Sequence, residues 1–93
     1  MIESFACKHT KKVWNGERTN KWSTEIVNNA LRKLFMLNAA NAIQDLRIPP
    51  SNRLHKLTGN WKEFWAISIN DQWRIIFRWI DGNAHDVQII DYH

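Results

Sequence analysis

Cysteine is nearly missing from this chain. Cys7 stands alone, which excludes an internal disulfide framework and a thiolate metal cluster. Glycine is scarce too. Three dispersed glycines leave no glycine-rich phosphate loop and no Gly-x-Ser-x-Gly elbow. No apolar run reaches the ~18 residues that a membrane-spanning helix needs, so no membrane association is expected. Met1-Ile2-Glu3-Ser4-Phe5 has neither the charged start nor the apolar stretch of a secretion signal, and a cytoplasmic location is expected. His85-Asp86 and the Asp91/His93 pair offer metal-ligand types, but not at a metal-ligand spacing. Neither a metal nor a cofactor is expected.

Aromatic and basic residues are plentiful. Six Trp and four Phe, with runs of Ile and Leu, suffice for one modest core, and 93 residues make a single domain, 1–93. The formal net charge is +4, but it is uneven. The first 60 residues carry ten Lys/Arg against four Asp/Glu, and the rest carry three against five. The densest stretch is Lys8, Lys11, Lys12, Arg18 and Lys21, opposed only by Glu17. Such a surface attracts a polyanion through counterion release, and it also keeps a small protein soluble. Charge alone leaves both readings open.

Periodicity divides the chain in two. Ile2 to Ala6 reads as a short first strand. Lys8 to Trp14 reads as a short basic helix ended by Asn15-Gly16, and Glu17 to Lys21 as a polar loop. Ser23 is a good N-cap, with Trp22 before it and Val27 placed for a hydrophobic staple. Val27, Ala30, Leu31, Leu34 and Leu37 then recur at helical spacing, which predicts an amphipathic helix from Thr24 to about Ala39. Asn41 to Leu46 adds one turn, and Ile48-Pro49-Pro50 stops it.

Beyond Pro50 the period becomes two. Trp65, Ile67, Ile69, Trp73, Ile75, Phe77, Trp79, Val87 and Ile89 are all odd-numbered. A two-residue loop at Asp81-Gly82 would set Phe77 opposite Asp86 and spoil the apolar face. A three-residue loop, Asp81-Gly82-Asn83, is therefore expected. It pairs Phe77 with Val87, Ile75 with Ile89, Arg74 with Ile90 and Gln72 with Tyr92. Helices followed by an antiparallel meander make an α+β fold, with the helices on one face of the sheet.

The other parity holds the chemistry. Arg74, Gln72, Arg78 and Tyr92 share the face away from the apolar residues, and His55-Lys56 opens the meander. Cleaving RNA without metal needs a base for the 2′-hydroxyl proton, cations for the phosphorane and an acid for the leaving 5′-oxygen. His55, Lys56, Arg74, Tyr92 and His93 are of the types that fill these roles. A solvated histidine and a strand arginine on a solvated face are the plainer readings, and spacing does not choose between them. Trp65, Trp73 and Trp79 fall on the core parity. Trp61, beside Lys62 in a loop, is the tryptophan best placed to stack on a base.

Several segments together resemble a known family. They are Asn52-Arg53-Leu54-His55-Lys56-Leu57-Thr58-Gly59, Trp65-Ala66-Ile67-Ser68-Ile69-Asn70-Asp71-Gln72-Trp73-Arg74-Ile75 and Ile90-Asp91-Tyr92-His93, with Met1-Ile2-Glu3-Ser4-Phe5 and Lys21-Trp22-Ser23. The chain resembles the HigB-type toxins of the RelE superfamily, in type II toxin–antitoxin systems, over essentially its whole length. The resemblance implies a compact RelE-like microbial RNase fold and cleavage of mRNA on translating ribosomes, which inhibits translation and growth. It implies a HigA-type helix-turn-helix antitoxin as partner, with operator DNA reached only through that antitoxin. It also implies that the active-site residues are His55, Arg74, Asp91, Tyr92 and His93. Lys56, Gln72, Arg78, Lys8, Lys11 and Lys12 are the expected RNA contacts. Some relatives have lysine where this chain has Thr58, and the nearest lysine here is Lys56. A catalytically weak relative, binding RNA or ribosomes and acting mainly as an antitoxin-bound regulatory partner, is the alternative.

Overall fold

The structure is a computed structural model and describes residues 1–91. Tyr92 and His93, with the expected Gln72–Tyr92 pairing, lie outside the described residues.

Helix α1 spans Lys8–Trp14, and Gly16 follows it at φ +73°, a conformation open to glycine. Helix α2 spans Thr24–Ala39, as the apolar spacing predicts. The Ser23 hydroxyl oxygen accepts from the Ile26 amide at 3.3 Å, a cap of about 1 kcal/mol. Ala30, Leu34 and Leu37 are the buried stripe of α2. After it, the Asp45 carboxylate accepts from the amides of Asn41 (2.9 Å) and Ala42 (3.1 Å), and the chain enters 3₁₀ turns at Ile43–Arg47 and Pro50–Asn52.

Four antiparallel strands follow in the order β1 (His55–Lys56), β2 (Phe64–Ser68), β3 (Trp73–Ile80) and β4 (Asn83–Asp91). The odd-numbered Ile67, Ile75, Phe77, Val87 and Ile89 join Val13, Ala30, Leu34 and Leu37 in one core. Both helices thus cover one face of the sheet. Each large apolar side chain buried there contributes roughly 1.5–3 kcal/mol.

The β3–β4 hairpin departs from expectation. Ile80 pairs with Asn83 across a two-residue loop, Asp81-Gly82, both at positive φ as a type I′ turn requires. Strand parity disfavours this loop because it misaligns Phe77. The chain restores alignment with a bulge. Arg78 pairs with His85, yet Ile76 pairs with Gln88, so one extra residue sits on β4. Asp86, at φ +53°, marks it. Beyond the bulge Ile75 faces Ile89 and Arg74 faces Ile90, the expected register.

The N-terminal segment is not a continuous strand either. It touches β4 in parallel through single bridges, Ile2 to Ala84 and Phe5 to Val87. Its carbonyls and side chains still satisfy the outer edge of β4. The Ala84 amide donates to Met1 O, the Val87 amide to Ser4 O and the Asp86 amide to Ser4 Oγ. From α1, the Thr10 hydroxyl oxygen accepts from the Ile89 amide at 3.1 Å.

Candidate functional site

Paired residues share a face, so register alone maps the side of the sheet away from the helices. One row across it is Ser68, Arg74 and Ile90. The next is His55, Ala66, Ile76 and Gln88, and the third is Phe64, Arg78 and His85. Rows are about 7 Å apart along the strands. His55 and Arg74, expected together, do occupy this face, on adjacent rows and two strands apart, a lateral distance of roughly 10 Å. Helices α1 and α2 pack against the opposite side.

His55 is held by its own backbone. Its Nδ1 lies 2.8 Å from the Arg53 carbonyl oxygen. A carbonyl only accepts, so Nδ1 carries the proton and a neutral ring has its lone pair on Nε2. Arg53 takes the left-handed conformation, φ +49°, that ends the Pro50–Asn52 turn. That turn is pinned from beneath by Asn52, a fully buried side chain. Asn52 Nδ2 donates to the carbonyls of Leu46 (3.1 Å) and Ile48 (3.4 Å), and its Oδ1 accepts from Lys33 Nζ at 2.6 Å. Burial, and then the charge of Arg32, push the Lys33 ammonium below its usual pKa. A chain of contacts thus runs from α2 through Asn52 and Arg53 to the imidazole. Asn52 has no apolar-pattern signal. Its only mark in the sequence is an amide directly after Pro49-Pro50-Ser51.

Arg74 is buried, only 7% exposed, where the alternation had placed it on a solvated face. Its Nη1 donates to the Asn70 and Trp73 carbonyl oxygens. Asn70 builds the turn that allows this: its Oδ1 accepts the amides of Gln72 (2.9 Å) and Trp73 (2.8 Å). Gln72 sits at the rim of that turn and donates from Nε2 to Asp91 Oδ2 at 3.1 Å. Arg78, at the far end of the face, is paired with the bulge residue Asp86 at 3.1 Å. A fixed guanidinium and an oriented imidazole on one face are the group types that neutralise a phosphate and move a proton.

Lysines stand elsewhere. Lys56 pairs with Trp65, on the opposite parity to His55, with Nζ 5.1 Å from the centre of the Trp65 ring. Lys8, Lys11 and Lys12 lie on α1, in the helical layer. Lys8, Lys12 and Lys21 surround one side chain there. After desolvation, their charges are what hold the His9 imidazole below its ordinary pKa. This crowding of like charge marks a surface suited to an anion. No group of three metal-ligating side chains is present among the described residues.

Known proteins share this architecture. The profile described as "RelE-like toxin of type II toxin-antitoxin system HigB" matches residues 3–93. Toxin HigB-1 of Vibrio cholerae is 41% identical over 85 residues, covering 90% of each chain. Endoribonuclease HigB of Proteus vulgaris is 30% identical over 93 residues, covering 100% of each. Among solved structures, YafQ of E. coli superposes with a TM-score of 0.61 at 16% identity, over 98% of this chain and 93% of its own. The YoeB–YefM complex of Staphylococcus aureus gives 0.63 at 13%, over 100% and 98%. The helix-backed antiparallel sheet is therefore the RelE-like fold, and with a family profile spanning nearly every residue, this chain belongs to the HigB-like toxins of type II toxin–antitoxin systems.

Proposed function

We propose that this protein is a metal-independent endoribonuclease that cleaves mRNA on translating ribosomes and so inhibits translation and growth. The observation that supports the reading is that His55 and Arg74 share the face of a HigB-family sheet that lies away from α1 and α2. In the reaction a base takes the 2′-hydroxyl proton and the 2′-oxygen attacks phosphorus. The bond to the 5′-oxygen breaks, and that oxygen receives a proton. Arg74 neutralises the charge that grows on the phosphorane. His55, through Nε2, serves one of the two proton transfers. Asp91, Tyr92 and His93 complete the site, with the other proton transfer among them. The name of the Proteus vulgaris relative, an endoribonuclease, supports the activity.

The partner is a HigA-type antitoxin that neutralises the toxin in the cytoplasm and brings it to operator DNA. The Staphylococcus aureus neighbour, solved as a YoeB–YefM complex, supports a proteinaceous partner. Mapped cleavage of a translated mRNA, with and without ribosomes, tests the reading. Cuts that need both ribosomes and Arg74 are expected, and chelation by EDTA should not abolish them while the ribosomes are kept assembled. Cutting that proceeds equally on free RNA would remove the ribosome from the mechanism.

One observation favours a second reading. Thr58 stands where some relatives have lysine, and the nearby Lys56 lies on the opposite parity to His55. A chain short of one cation at the phosphate would bind RNA or ribosomes and cleave slowly. Growth arrest without mapped cuts would select this reading.

A further inference from the structure

An aromatic pair at the far end of the open face has no part in the chemistry above. Trp61 ends the Gly59–Trp61 turn and is 47% exposed, a large apolar surface left in water. Its ring meets Phe64 nearly edge to face, with centroids 5.2 Å apart at 78°. Phe64 begins β2 and pairs with Arg78, so it lies on the same face as His55, one row along from His55's partner Ala66. That step of about 7 Å is close to one nucleotide of an extended strand.

Lys62 and Glu63, the two residues between the pair in sequence, line an open groove of about 390 Å³ at this end of the sheet, with Lys56, Arg78, Trp79 and Ile80. Its volume lies within the range of small-ligand sites. Asp86 offsets the charge of Arg78 at 3.1 Å, and Glu63 opposes one lysine. Three cations against two carboxylates leave the groove positive. An exposed indole next to a positive groove suits an unpaired base with its phosphate. Every base has a π face to stack, and the lysines draw the backbone without reading sequence.

We propose that Trp61 and Phe64 form a stacking platform for the unpaired base of the RNA nucleotide next to the one at His55, with Lys62, the residue after Trp61, holding its phosphate. The proposal rests on the nuclease reading for the nature of its ligand. It adds a binding subsite that extends the reaction centre along the sheet.

The test is fluorescence anisotropy with a short fluorescein-labelled 2′-O-methyl RNA, which lacks the attacking hydroxyl and is not cleaved. Trp61→Ala should weaken binding by about five-fold to a hundred-fold, and Trp61→Phe should restore most of it. Lys62→Gln should lower the log–log salt slope by about 0.7, the value for one phosphate contact on a single strand. Equal affinity of Trp61→Ala and the unsubstituted chain, or no measurable binding by the unsubstituted chain, overturns the platform. An unchanged slope in Lys62→Gln overturns the phosphate half. Unchanged RNA affinity with a weakened antitoxin complex assigns the pair to protein docking and overturns the proposal as well. Failure of the nuclease reading looks different: translated mRNA stays intact while the Trp61 dependence of binding persists.

Discussion

The two faces of the sheet bury residues by different means. On the helical side Ile75 and Phe77 are sealed by α2 and by their apolar neighbours. On the other side Ala66 and Ile76 are equally inaccessible, although α1 and α2 pack against the opposite face. The residues around them on this face are polar: His55, Arg74, Arg78 and Gln88 share it by register. Long polar side chains shield apolar surface with their stems while presenting polar heads. The helical face therefore holds the fold together, and the open face uses its packing to orient charge.

Phe77 and Arg74, three residues apart on β3, give the sharpest contrast. Phe77→Ala should remove about 3–5 kcal/mol, a large part of a small domain's stability, and activity should fall with the folded fraction. Thermal unfolding measures the loss. Arg74→Ala should keep the fold while the cleavage rate falls by about 10²–10³. Equal losses of melting temperature in the two variants would erase the distinction between the faces. A fully active Arg74→Ala would remove the guanidinium from the reaction.

Smaller effects belong to the helical layer's outer surface. Changing Lys8, Lys11 and Lys12 together to Gln should weaken ribosome pelleting and flatten its salt dependence. On the duplex-DNA scale the log–log slope should fall by about 0.9 for each phosphate that is no longer neutralised. Stability should hardly move. Undiminished pelleting would assign this charge to solubility.

The smallest effect concerns His9. Its folded pKa lies below the ordinary value of 6.5, so the unfolded chain binds the proton more readily. Its contribution is thus present above pH 6.5 and is lost as the pH falls through the lowered value. His9→Gln should make unfolding slightly less sensitive to acid between pH 7 and 5. An unchanged profile would mean that neither desolvation nor the lysines act on this ring in solution.

Much of this organisation is legible in the residues. Ser23 and the spacing from Val27 to Leu37 mark α2 from cap to end, because cap chemistry and helical period are local. Strand parity finds the core face and places Arg74 on the other, whereas His55, odd-numbered like the core residues, reaches that face only through the β1–β2 register. Parity fails at Asp86, since a bulge adds a residue without any apolar signal. Asp81-Gly82 is a strong two-residue turn sequence, and its local preference prevails over unbroken alternation. Burial of Arg74 is illegible for another reason: alternation tells which face a side chain takes, not what gathers around it. Asn52 and Asn70 are missed because their work is to satisfy backbone groups in turns, which depends on the folded path.

The bonds along the outer side of β4 have a bearing on handling the protein. A lone strand edge is a template for another molecule's strand, and edge-to-edge pairing is how small sheet proteins polymerise. Here Met1, Ser4 and Thr10 occupy the amides of Ala84, Asp86, Val87 and Ile89. The first residues act as a removable guard strip. Trimming them, or pulling them away with a bulky N-terminal fusion, would lift Ile2 and Phe5 off the edge of the core and expose a ladder ready to aggregate. Fusions placed elsewhere would leave that guard in position.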